Sequence, residues 1–195
     1  MNKKDLLYKL FQDRTILTSS EVTNLGYARI YLTMLEKEKS IYKVARGVYS
    51  INKGEIVDPL YEFQKNNKKI IYSCFSALNL AKFYHYKPNK LQVSVPQGYN
   101  ASRYKDVDVF YNNDNNYGVG TVFIDVNGHK LVAYNIERSI CDIIKEQSRF
   151  DTREYNKLIN YYFNLENINY SKLLEYSKLL KVSKKVQSYL SLFKA

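Results

Sequence analysis

Residues 41–51 read IYKVARGVYSI. Two β-prone runs, Ile41–Val44 and Val48–Ile51, flank a short basic turn, Ala45-Arg46-Gly47. A glycine there accepts the positive φ that a tight hairpin demands and a β-carbon resists, so the stretch predicts a two-stranded hairpin with a cation at its tip. Working back from it, Tyr27 to about Lys39 is expected as a helix, with Ala28, Leu32, Leu35 and Lys39 on one face. Arg29, Ile30, Thr33 and Lys37 fall on another. Gly26 supplies the turn before that helix, and Thr18-Ser19-Ser20-Glu21 offers N-caps for a short helix over Ser20–Asn24. Lys4–Phe11 reads as an amphipathic helix through Leu6, Leu7, Leu10 and Phe11. Helix, helix, tight turn, helix and hairpin in that order predict a winged helix-turn-helix.

In that architecture the third helix enters the major groove and the hairpin lies along the backbone beside it. Arg29, near the start of the helix, is placed to read a base edge, most naturally guanine. Tyr27 and Thr33 are suited to a thymine methyl or a phosphate, and Lys37 to a phosphate. Lys43 and Arg46 are the wing cations, matched to phosphate or to the negative potential of the minor groove. Tyr27 and Tyr31 can equally be packed on the domain core, and a winged helix can also dock another protein.

The charge balance points the same way. Thirty Lys and Arg stand against nineteen Asp and Glu, a net charge of +11. Such an excess favours a polyanionic partner, nucleic acid before a membrane surface, although solvated lysine faces also serve solubility alone. The start, MNKKDLLYKLFQ, has no long apolar run, and nowhere do eighteen apolar residues follow one another, so a cytoplasmic protein with no membrane partner is expected. Cys74 and Cys141 lie in apolar runs without zinc spacing and read as small buried hydrophobes.

Beyond Asn52-Lys53-Gly54 the texture changes. Asp58-Pro59 opens a helix over Pro59–Asn66. Lys68–Ser73 reads as extended and Ser76–Tyr84 as a helix. Leu91–Val95, Val107–Tyr111, Thr121–Val126 and Lys130–Tyr134 read as strands. Asn127-Gly128 between the last two is a strong hairpin signal. Ile136–Gln147, Thr152–Phe163, Ser171–Leu180 and Ser183–Phe193 are helical in pattern. The fold class is therefore α+β, an N-terminal winged helix over residues 1–54 followed by a mixed α+β domain over residues 55–195. The loop NNDNNYGVG is expected to be a mobile segment.

Four stretches, taken in order, carry a resemblance. They are the winged helix ending in YKVARGVYSI, the helix YSCFSALNLAKF, the strand and turn KLQVSVPQGYN, and the helix start YNIERSICDIIKE. The chain resembles the AbiEi antitoxins of type IV toxin–antitoxin and phage abortive-infection systems. The resemblance implies a repressor that binds double-stranded DNA at inverted repeats in its own promoter. It implies a C-terminal domain that supports self-association on DNA and carries the antitoxin activity. The functional partner would be a nucleotidyltransferase toxin encoded next door, countered without a stable complex. The family often has a histidine just after the Ser-Ala-Leu-x-Leu motif, where Ala81-Lys82 stand here.

Against this stand readings from other classes. Glu137, Arg138 and Asp142 at one helix start look chemical, yet Glu137 suits the helix dipole and Arg138 and Asp142, four residues apart, can pair. Lys82, Lys87, Lys90, Arg103 and Lys105 can form a second basic surface or a solvated face. Asp106, Asp108 and Asp125 lie on or near strands, as in a metal-dependent nuclease, but the carboxylate-x-lysine spacing of such enzymes is absent. His85 and His129 belong to no zinc or triad pattern, and no glycine-rich phosphate loop occurs. The sequence therefore predicts no enzyme, no cofactor and no metal.

Overall fold

In a computed structural model, residues 2–55, 57–126 and 128–193 are described. The chain divides into two compact units, Met1–Lys68 and Lys69–Ala195.

The first unit begins with helix α1 (Lys3–Arg14), which buries Leu7 and Phe11. A three-residue strand, β1 (Ile16–Thr18), leads into α2 (Ser19–Asn24). Thr18 and Glu21 form a reciprocal capping box: the Thr18 hydroxyl accepts from the Glu21 amide, and the Glu21 carboxylate accepts from the Thr18 amide. That arrangement satisfies two otherwise orphaned amide groups and fixes where α2 starts. Gly26, at φ +83°, ends it. The amides of Gly26 and Tyr27 donate to the carbonyls of Thr23 and Val22, a closure that needs the left-handed conformation at Gly26.

Helix α3 covers Ile30–Lys37, shorter at its start than the pattern of apolar residues suggests. The α2 closure commits Tyr27, so the chain reaches helical geometry only at Arg29, which is the N-cap. Strands β2 (Tyr42–Ala45) and β3 (Val48–Ser50) form the expected hairpin, with Gly47 at φ +73° and a bulge between Lys43 and Ala45. β3 also pairs with β1, giving the antiparallel order β1-β3-β2. Leu7, Phe11, Leu17, Val22, Leu32, Leu35 and Ile41 make one core. The elements are those of a winged helix-turn-helix. Helix α4 (Pro59–Asn66), expected with the second domain, belongs to the first unit. Its Lys65 pairs with Glu21 at 2.7 Å, and its Glu62 accepts the Arg46 amide at 3.1 Å.

The second unit has a mixed five-stranded sheet in the order β6-β5-β4-β8-β7, built from β4 (Ile71–Tyr72), β5 (Leu91–Pro96), β6 (Val107–Asn112), β7 (Thr121–Val126) and β8 (His129–Tyr134). β7 and β8 pair from Thr121↔Tyr134 to Val126↔His129, as a hairpin across Asn127-Gly128 requires; Asn127 itself lies outside the described residues. Helices α5 (Cys74–Leu80), α7 (Ile136–Lys145), α8 (Thr152–Phe163), α9 (Tyr170–Leu179) and α10 (Ser183–Phe193) build the helical core. Ile140, Cys141, Ile143 and Ile144 of α7 sit at its centre, inaccessible to solvent. Cys74 and Cys141 are free and buried, and burial pushes both thiols up. The asparagine-rich loop, expected to be mobile, contains a short helix, α6 (Asp114–Tyr117), and is tied to α7.

Candidate nucleic-acid interface

The exposed side of α3 is set by which of its residues fill the core. Leu32 and Leu35 are buried, and Tyr31 and Glu36 are half-buried beside them. That leaves Ile30, Thr33, Met34 and Lys37 outward, with Arg29 at the N-cap. Arg29, Thr33 and Lys37 recur every fourth residue and are all exposed, so they line one side of the helix. Their side chains make no hydrogen bond or ion pair among the described residues, and the two cations are free to meet a ligand. Glu38, by contrast, is neutralised by Lys4 of α1 at 2.7 Å.

Tyr49 connects this helix to the hairpin. On the sheet Tyr49 stands opposite both Leu17 and Lys43, so the three side chains share a face. Leu17 is in the core, Tyr49 packs against it, and Lys43 emerges at the outer strand, exposed. Burial pushes the Tyr49 hydroxyl up; the charge of Glu36 adds to the shift and that of Arg29 opposes it. Arg29 at the head of α3 and Lys43 on β2 thus both border the same tyrosine.

The tip of the hairpin is held rather than free. The Gly47 carbonyl accepts from the Ser19 amide at 2.8 Å, and the Arg46 amide donates to Glu62 Oε1. A β-carbon on Gly47 would lie 3.2 Å from the Ser19 hydroxyl, so glycine serves close packing here as well as turn geometry. The wing is therefore a short hairpin braced by α2 and α4, not a projecting finger. Arg46 is exposed, with no side-chain partner among the described residues. Tyr27 is half-buried on the core, where it closes α2 against Val22. Its ring has a structural task whatever its hydroxyl meets.

The interface cations are legible in the residue pattern, but two features of this surface depend on packing. Tyr49 was legible only as a strand residue, since its role depends on cross-strand register. Ile30 and Met34 are large apolar residues left in water; the sequence pattern already sets Ile30 beside Arg29, whereas Met34 is placed only once the core-facing side of α3 is known.

Glu137, Arg138 and Asp142 do not form an open chemical site. Arg138 is fully buried, donating to Asp142 Oδ2 at 3.0 Å and, through Nη1, to the Asn116 and Val119 carbonyls at 2.7 Å each. Its guanidinium stacks over Tyr134 at 4.2 Å. Burial pushes Asp142 up to about 6, with Arg138 opposing. This network locks α6 and its loop onto α7. Among the described residues no group of three or more His, Cys, Asp and Glu side chains is gathered to hold a metal ion, and no helix is long and apolar enough to cross a membrane.

Residues 5–52 match the AbiEi antitoxin transcriptional regulators. The matched segment runs from α1 to just past β3 and contains Tyr27, Arg29, Thr33, Lys37, Lys43 and Arg46. No curated protein matches the chain. Among solved structures, the RV2827C protein from Mycobacterium tuberculosis has a similar fold, with a TM-score of 0.52 at 16% identity. The likeness covers 95% of this chain and 79% of that one. It extends the comparison of fold beyond the AbiEi-matching segment.

Proposed function

We propose that the chain is a DNA-binding transcriptional regulator and antitoxin whose N-terminal winged helix grips double-stranded promoter DNA at inverted repeats and represses its own operon. The observation that carries this reading is the set of exposed cations on α3 and the hairpin, Arg29, Lys37, Lys43 and Arg46, left without ion-pair partners inside a segment that matches AbiEi regulators. Arg29 and Thr33 face base edges, Lys37, Lys43 and Arg46 hold phosphates, and Tyr27 orients the turn before α3. The net charge of +11 supports a polyanionic partner.

The second unit carries the antitoxin activity and supports self-association on DNA, and its edge strand β7, with Phe123 74% exposed, is a candidate seam between copies. The functional partner is a nucleotidyltransferase toxin countered in the cytoplasm without a stable complex. A gel shift with the duplex upstream of the gene tests the DNA reading. Specific retardation that survives excess unrelated duplex is expected, and equal binding to both duplexes, or none, refutes it. A downstream open reading frame without nucleotidyltransferase character refutes the toxin assignment.

A further inference from the structure

The outward side of α3 carries two large apolar side chains that neither its core nor its cations explain. Ile30 is 54% exposed and Met34 43%, and neither joins the cluster around Leu32 and Leu35. They stand four residues apart, one turn of helix, beside Arg29, Thr33 and Lys37. A helix face turned to water normally carries polar side chains. The unpaired cations around the patch select its occupant. A second copy of the chain would bring Arg29 and Lys37 against their own like charges. The major groove of DNA offers the opposite pattern, with anionic phosphates along its edges and the C5-methyl groups of thymines projecting from its floor.

Resting on the reading that α3 enters the major groove, we propose that Ile30 and Met34 are specificity-determining residues that read thymine methyl groups. Four residues of α-helix rise about 6 Å, and successive base pairs are spaced about 3.4 Å. The two side chains therefore address thymines about two base pairs apart in each half-site. Arg29 and Thr33 read polar base edges between and beside them, so the half-site combines a hydrogen-bonded pair with A·T pairs recognised through their methyls.

The test replaces thymine by uracil, one position at a time, in the upstream promoter duplex and measures affinity for the full chain by fluorescence anisotropy. Uracil pairs as thymine does and lacks only the methyl. The expected result is a loss of about fourfold, the worth of one buried methyl-sized group, at two positions about two base pairs apart and little change elsewhere. Ile30→Ala is expected to abolish the loss at one of these positions and Met34→Ala at the other. Both variants should keep the parent circular dichroism, because the residues lie outside the core. Tight, salt-sensitive binding that is indifferent to every thymine-to-uracil change overturns this inference and leaves the DNA-binding reading standing. Failure to bind the duplex at all removes both. Altered sedimentation of the Ile30 and Met34 variants, with uracil changes silent, assigns the patch to a protein partner and also overturns the proposal.

Discussion

Replacing Arg138 by leucine removes the cation from a site that water does not reach. Arg138 is fully buried and Asp142 is 5% exposed. The substitution strands the Asp142 carboxylate, and it also frees the Asn116 and Val119 carbonyls, each now bonded at 2.7 Å. Breaking a buried pair from one side costs about 3–5 kcal/mol. That is a large share of the roughly 5–15 kcal/mol by which domains are stable. Replacing both partners, as Arg138→Leu with Asp142→Leu, should recover much of the loss, because an apolar pair of similar volume often substitutes for a buried ion pair. The recovery stays incomplete while the two carbonyls lack donors.

The pH dependence has a defined sign. Burial raises Asp142 to about 6 despite the opposing charge of Arg138. A carboxyl raised in the folded state contributes stability that is complete below its unfolded value of about 3.9 and lost as pH rises through its folded value. Without Arg138 the carboxyl rises further, so the part of the Arg138→Leu deficit due to Asp142 titration should be largest at and above neutrality, shrink as pH falls towards 6 and level off below it. Urea unfolding followed by circular dichroism, with hydrogen exchange at the α7 amides to report the second unit, measures both effects. A cost under about 1 kcal/mol at neutral pH, below any reasonable value for a broken buried pair, or a deficit that grows on acidification, would refute the reasoning.

Three further outcomes follow from the first unit. Arg46→Ala should weaken binding to all duplexes about fivefold at physiological salt and reduce the slope of log K against log salt by about 0.9, one phosphate contact. Parent-like anisotropy titrations would remove Arg46 from the interface. Arg29→Ala should instead relax base preference, with about 1–3 kcal/mol of discrimination lost at one position, read by competition with single-base variants of the duplex. Lys39 closes α3 with a left-handed φ of +57° and is exposed, so Lys39→Gly should stabilise the first unit by about 0.5–1 kcal/mol, measured by thermal unfolding; a loss of stability would contradict the geometric argument.

Much of the architecture is written locally. The helices Pro59–Asn66, Thr152–Phe163 and Ser183–Phe193 have the ends expected of them, because Asp58 and Asp151 cap the first two with hydrogen bonds to nearby amides and the apolar period is clear throughout. The hairpin at 41–51 is equally legible from its glycine. What escaped depends on distant partners. β1 is three residues long and is a strand only because β3 returns to pair with it. α6 is fastened to α7 by Arg138, 22 residues beyond Asn116, which bonds its carbonyl. α4 reads as the start of a new domain after Gly54, yet Glu62 reaches back 16 residues to the Arg46 amide. In the candidate interface the cationic residue types were readable. The pattern also places Ile30 on the Arg29 face and allows Tyr27 to pack on the core, whereas the bracing of the wing and the exposure of Met34 are not readable from it, since each depends on which side chains fill the core.

On the proposed reading, Arg29 meets a base edge and Lys37, Lys43 and Arg46 meet phosphates, all as unpaired cations. The most direct measurement is the affinity of the full chain for its upstream promoter duplex across about 50–200 mM salt. Three phosphate contacts, from Lys37, Lys43 and Arg46, predict that log K falls against log salt with a slope of about −2.7 per protomer. A slope near zero, or no binding at the lowest salt, would contradict it.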